Sequence, residues 1–116
     1  MHKLPKQKVL LESDDISRTL KSKSTQTKHL AIHKNINLLD FSRIGLTIPK
    51  KNAKRAIDRN RIKRLARETF RQATIKEPSD IVVKLFIPIG KKTRRKLRES
   101  ERKMIRQQLK EYFELK

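Results

Sequence analysis

The sequence predicts an α+β fold, with helices laid against one small sheet. Three observations carry this. Apolar residues recur at three- and four-residue steps in two long segments, around residues 59–73 and 94–115. Short stretches of alternating or β-branched apolar residues lie on both sides of the first of these. Prolines at 49, 78 and 88 punctuate the change from one pattern to the other.

The elements follow in order. Lys3 to Lys8 is a basic start, and residues 1–10 are expected to be flexible. Ser13 is placed to cap a short helix running to about Lys21, with Asp14 and Asp15 where acids suit the positive end of the helix dipole. Ile16 and Leu20 share one of its faces. The polar run Lys21 to Thr27 reads as a loop, and Lys28 to Lys34 as a strand. In that strand Leu30 and Ile32 point one way and His29, Ala31 and His33 the other. A second strand, "SRIGLTIP", sets Ile44, Leu46 and Ile48 on one face, with Gly45 opposite leaving room for a close approach to the backbone. After Pro49 comes "KKNAKRAID", then a helix to about Ala73. Asp80 to Ile87 is a third strand, and Arg94 to Leu115 a last helix with Leu97, Met104, Ile105, Leu109, Tyr112 and Phe113 on its apolar side. The order is α-β-β-α-β-α, with room for one more short strand. Residues 1–116 form a single domain on grounds of length.

Charge bounds the function. The 116 residues carry 32 Lys and Arg against 12 Asp and Glu, a formal net charge of +20. Self-repulsion on that scale opposes compaction unless a polyanion shares it. A membrane role fits poorly, because "IVV" and "LFIPI" are too short to span a bilayer and no secretory signal precedes them. The absence of cysteine removes disulfides, thiolate zinc sites and cysteine nucleophiles. Cysteine usage is compatible with a cytoplasmic protein.

The central helix has two faces. At about 100° per residue, Ile62, Leu65, Ala66, Thr69 and Ala73 gather on one side, with Phe70 at its edge. Asn60, Lys63, Arg64, Arg67 and Arg71 gather on the other as a continuous cationic stripe. Arg61 and Glu68 share a flank, where they are spaced for a loose pair. The plain alternative is a solvated face. Such faces usually mix signs, because like charges at helical spacing destabilise, whereas Lys50 to Arg71 holds ten cations and two acids. Asn60 is a poor mid-helix residue whose amide can serve a base or sugar; capping near the helix N-terminus explains it equally well.

A protein-borne nuclease is poorly supplied. A two-metal site needs several carboxylates converging around ions about 3.5–4 Å apart. Asp14 and Asp15 diverge, Asp40, Asp58, Glu68 and Asp80 are scattered, and Glu99 and Glu101 point to different sides of a helix. His29 and His33, four strand steps apart, stand about 13 Å from each other at roughly 3.3 Å per step. No catalytic residue and no protein-held metal ligand is assigned. A helix-turn-helix repressor is excluded because strands flank the basic helix. A ribosomal-type RNA binder or RNA chaperone with no processing role would share the charge and size.

The stretch "GLTIPKKNAKRAIDRNRIKRLARETFR", Gly45 to Arg71, resembles the signature of the bacterial ribonuclease P protein family: a G-L strand, a K-K pair, then R-N-R-I-K-R and a following R-E-x-F-R. The match is dense over about a quarter of the chain, and the flanking strands agree in spacing. The resemblance implies a ribonuclease P protein-like α-β-β-β-α-β-α sandwich whose basic helix crosses between parallel strands in the rare left-handed sense. The general rule predicts a right-handed crossover in about 98% of cases. It implies a subunit that joins ribonuclease P catalytic RNA, with Mg2+ bound by that RNA, to remove the 5′ leader of precursor tRNA by phosphodiester hydrolysis; the RNA performs the chemistry. No membrane and no small-molecule substrate is implied. Carried over by position, Lys50, Lys51, Arg55, Arg59, Asn60, Arg61, Lys63, Arg64, Arg67 and Arg71 are the RNA-binding residues. The leader cleft falls on Ile16, Leu20, His33, Thr47 and Phe86. The family commonly has two phenylalanines and a tyrosine where this chain has Ile16, Leu20 and His33. Stacking on an aromatic is worth about 1–3 kcal/mol per base, so the base preference of the cleft is expected to differ. Packing in the core is an equal reading of Ile16 and Leu20.

Overall fold

The computed structural model describes residues 11–90 and 93–114; the flexible start expected at residues 1–10 lies outside them. The first helix, α1, spans Ser13–Thr19. Strands β1 (Ser24–Gln26), β2 (Leu30–Ile36) and β3 (Arg43–Thr47) follow, then helix α2 (Ala56–Gln72), strand β4 (Ser79–Leu85) and helix α3 (Glu99–Glu114). The α-β-β-β-α-β-α order is the one the resemblance implies. The third early strand, β1, lies inside the segment read from its polarity as a loop. It is an exposed three-residue edge strand, so it has no apolar alternation to betray it.

One sheet runs in the order β1-β2-β4-β3. β1 pairs antiparallel with β2, and β2 antiparallel with β4. β3 pairs parallel with β4, and α2 makes the connection between them. One sheet face presents Leu30, Ile32, Ile44, Ile81, Val83 and Leu85, all essentially inaccessible, to Ile62, Ala66 and Phe70 of α2 and Ile105, Leu109 and Phe113 of α3. Phe70 packs edge-on to Phe113 with ring centres 6.1 Å apart, and Tyr112 edge-on to Phe113 at 5.2 Å. Phe70 is therefore central to the packing face of α2, not at its edge, because α3 closes that side. Leu65, placed on the packing face from periodicity, is only half-buried.

Several boundaries differ from the sequence reading. Glu12, not Ser13, is the N-cap of α1, and it accepts no side-chain cap. β2 begins at Leu30 and not at Lys28, so His29 leaves the strand. It is buried against α3, where Gln108 accepts the His29 backbone N–H at 3.1 Å and donates its amide to His29 Nδ1 at 2.9 Å. It does not share the outward face with His33. β4 ends at Leu85, although the Phe86 N–H still reaches the His29 carbonyl at 3.1 Å. α3 starts at Glu99 and not at Arg94, because Arg94 and Arg95 adopt left-handed backbone at φ 52° and 72°.

The His29 arrangement makes stability depend on pH. Burial lowers the imidazole pKa below its ordinary 6.5, Glu101 opposes this and Lys28 adds to it. A proton on Nδ1 would also face the Gln108 amide donor. The unfolded chain therefore takes up the proton first. This contribution is complete above pH 6.5 and lost as pH falls from there through the depressed folded value. The denaturant midpoint should fall between pH 7.5 and 5.5, and His29→Gln should flatten that fall; an equal fall in the variant would remove His29 as its source.

Candidate nucleic-acid interface

The basic helix is set in place by its approach loop. Pro49 to Asn52 forms a turn in which the Asn52 and Ala53 N–H groups both donate to the Pro49 carbonyl at 3.0 Å. Asn52 is buried and donates its amide to the Leu85 carbonyl at 2.9 Å, fixing the turn to the end of β4. Lys50 and Lys51 are left exposed on its outside. Arg59 reaches back to the carbonyls of Ala53 and Lys54 at 3.0 Å each. Arg55, the N-cap residue of α2, pairs with the buried Asp58 at 3.1 Å. Two of the predicted RNA-binding cations thus already hold the chain's own backbone and carboxylate, and act in positioning the helix.

The remaining stripe forms no ion pair among the described residues. Asn60, Arg61, Arg64, Arg67 and Arg71 are exposed and Lys63 half-exposed. Among the described residues none of these cations pairs with a carboxylate: the ion pairs involve Arg18, Arg43, Arg55, Arg98 and Arg102 instead. The Arg61–Glu68 pair that their shared flank suggested does not form. Arg61 acts toward α3, where the Glu99 carboxyl is held below its ordinary range chiefly by its hydrogen bond from Arg102, with Arg61 a smaller contributor. Asn60 sits well inside the helix that Arg55 caps, so capping no longer explains it. The stripe from Asn60 to Arg71 extends about 16 Å at roughly 1.5 Å per residue.

The opposite sheet face forms a second feature. Register puts Ser24, His33, Val82 and Gly45 in one row, and Gln26, Ala31, Lys84 and Thr47 in the next. α1 packs on the Gly45 end of the first row, while Ser24 at the other end is exposed. A Cβ on Gly45 would lie 2.7 Å from Ile16 Cγ1, so Ile16 packs directly on the glycine backbone. Arg43 anchors this side by gripping Asp80 through two hydrogen bonds of 2.8 Å, and reaches Asp15 of α1 at 3.4 Å. Burial would raise the Asp80 carboxyl, but hydrogen bonds from Arg43 and Asn37 outweigh it and hold it below the ordinary range. In the second row Ala31 is buried, while Thr47 and Lys84 are half-exposed and Gln26 exposed. Of the predicted cleft residues, Ile16 and Leu20 are half-buried on α1. The half-buried His33 has its ring Nδ1 3.1 Å from the Ser22 carbonyl oxygen, and Phe86 follows Lys84 just past the end of β4. Lys84 was not singled out in the sequence. Alternation within "DIVVKLF" marks it, since Ile81, Val83 and Leu85 claim the other face.

Among the described residues no three His, Cys, Asp or Glu side chains converge in a way that could hold a metal ion. No helix there is long and apolar enough to cross a membrane. A small α+β domain with a cationic helix on one sheet face and half-exposed polar residues on the other has the charge pattern of a polyanion-binding module. A family model described as Ribonuclease P matches residues 4–114, so this chain belongs to the ribonuclease P protein family. It is 53% identical over 58 residues to the ribonuclease P protein component of Idiomarina loihiensis, covering 49% of this chain and 46% of that protein. It is 44% identical over 81 residues to that of Cronobacter sakazakii, covering 69% and 68% respectively. The chain thus spans about half to two thirds of the length of these relatives. The RNase P protein of Thermotoga maritima has a similar structure, with a TM-score of 0.60 at 26% identity over 96% of this chain and 97% of that one. The RNase P protein of Staphylococcus aureus shares the fold, with a TM-score of 0.63 at 23% identity over 91% and 89%.

Proposed function

We propose that this chain is the protein subunit of a ribonuclease P, working in the cytoplasm with a catalytic RNA to remove the 5′ leader of precursor tRNA. The observation that carries the reading is the cationic face of α2, unpaired among the described residues, in a member of this family. Arg64, Arg67 and Arg71 fork onto phosphate oxygens, and Lys63 serves as a movable point charge. Asn60 supplies a donor and an acceptor beside them. The second sheet row takes the single-stranded leader: Lys84 meets a phosphate, Thr47 and Gln26 offer hydrogen bonds, and His33 and Phe86 are the available ring faces. Ile16 and Leu20 line the edge with apolar contact and no π-face. The catalytic RNA holds the Mg2+ and performs the hydrolysis. The protein's part is to offset phosphate repulsion and to position the leader.

Reconstitution tests this. Adding the purified chain to ribonuclease P RNA should raise 5′ processing of precursor tRNA at low magnesium and leave less magnesium required for half-maximal rate. No change in either would refute the proposal. Cleavage by the chain with RNA omitted would instead assign the activity to its side chains.

A further inference from the structure

A second basic surface lies outside the helix stripe, in the loop between β4 and α3. Among the described residues, Gly90 and residues 93–98 are tied down by backbone and side-chain hydrogen bonds. Thr93 and Arg95 donate their N–H groups to the Gly90 carbonyl at 3.1 and 2.8 Å, Lys96 donates to the Thr93 carbonyl at 3.1 Å, and the Thr93 hydroxyl returns to the Lys96 carbonyl at 2.6 Å. Two buried carboxylates hold its ends. Both oxygens of Glu101 accept the Gly90 N–H at 3.1 Å, and one also accepts the Arg98 N–H at 3.0 Å. Asp58, in the first turn of α2, accepts the Leu97 N–H at 3.1 Å with the same oxygen that Arg55 meets.

Within this frame Arg94 and Arg95 both take the left-handed conformation, at φ 52° and 72°. That region disfavours residues with a Cβ, whereas glycine and asparagine enter it readily. Arginine at two successive positions of this kind is poorly explained by backbone preference. The side chains of Arg94, Arg95 and Lys96 are exposed, and among the described residues none of them meets a carboxylate. The two carboxylates that touch the loop, Asp58 and Glu101, are buried, and they meet the Leu97, Gly90 and Arg98 N–H groups and the Arg55 and Arg98 side chains instead.

We infer that residues 93–98 form a rigid second arm of the RNA-binding surface, joined to the α2 stripe through Asp58 and gripping RNA phosphates with Arg94, Arg95 and Lys96. The inference rests on the proposed ribonuclease P role. RNA phosphate is favoured over an anionic membrane because the exposed large apolar side chains among the described residues, Ile36, Leu38, Leu39 and Ile57, all lie outside the loop. Nothing on it would enter a lipid interface.

Arg94→Asn with Arg95→Asn removes two charges while keeping a residue type that accepts the left-handed backbone. Binding to ribonuclease P RNA across a salt series should then show a slope shallower by about 1.4–1.8, with affinity near 0.1 M salt down roughly 25- to 60-fold. Arg94→Lys with Arg95→Lys should restore most of both, and Lys96→Gln should give about half the slope change without touching the left-handed positions. Unchanged slope and affinity in the Asn pair and in Lys96→Gln, while alanines in the α2 stripe weaken binding, would overturn the loop assignment and leave the ribonuclease P role standing. Unchanged binding in the stripe variants as well would remove both. Thermal unfolding of each variant confirms that the fold is retained. Binding of the Asn pair to anionic vesicles falling where RNA binding does not would assign the arm to a membrane and likewise overturn the inference.

Discussion

Replacing Arg64, Arg67 and Arg71 together with alanine should lower affinity for ribonuclease P RNA roughly 125- to 500-fold near 0.1 M salt and make the salt slope shallower by about 2.1–2.7. The size follows from counterion release. Each cation that neutralises a phosphate contributes about 0.7–0.9 to the slope of log affinity against log salt, which near 0.1 M is close to a factor of five to eight in affinity. Three independent contacts multiply to about two to nearly three orders of magnitude. The fold should not suffer. All three side chains are exposed and pair with no carboxylate among the described residues, alanine is the better helix former, and removing like charges at helical spacing relieves repulsion. The unfolding midpoint should stay level or rise. Binding isotherms at several salt concentrations, with thermal melts alongside, check both halves. A falling midpoint would mean the stripe belongs to the packing of the domain. A weakened affinity with an unchanged slope would mean its contacts are not to phosphate.

The parts of this molecule that were legible in the sequence are those with a strong period or a dense motif. The two faces of α2 read directly, because Ile62, Ala66 and Phe70 recur at four-residue steps and the cations fill the turns between them. Gly45 read correctly as a site of close approach, and Ile16 is what approaches. Polar segments were illegible: β1 is exposed at all three residues and owes its existence to the β2 edge it pairs with, which no local pattern encodes. The start of α3 was misplaced because "RRKLR" has helical propensity, while Asp58 and Glu101, far apart in sequence, accept the Leu97 and Arg98 N–H groups at its end, and Glu101 the Gly90 N–H before it, and hold it as a loop. Asp58 looked like one of several scattered acids. Its role appears only when α2 and the loop before α3 are brought together in space. In the same way, the depth of Leu65 depends on where α3 lies against α2, which periodicity cannot give.

Ile62→Ala, two residues from Arg64 on the same helix, should have the opposite signature. Ile62 is fully inaccessible, packed in the cluster that joins the sheet to α2 and α3. Truncating it forfeits the transfer energy of three carbons and leaves a cavity that a close-packed core closes only in part, a cost of about 2–5 kcal/mol. That is a large share of the 5–15 kcal/mol typical of small domains, and 34% apolar composition with a net charge of +20 leaves little in reserve. Leu65→Ala, at a half-buried site, should cost distinctly less. Denaturant titration should show the midpoint fall with an unchanged slope. RNA then separates the two faces. It binds the folded state, so it should raise the unfolding midpoint of Ile62→Ala by nearly as much as that of the parent chain, because the phosphate-facing side is intact. The triple arginine variant, more stable to begin with, should gain much less from the same RNA. If RNA failed to protect Ile62→Ala under conditions where it remains folded, the packing and binding faces of α2 would not be separable, and the cationic stripe could not be treated as a surface that the core merely supports.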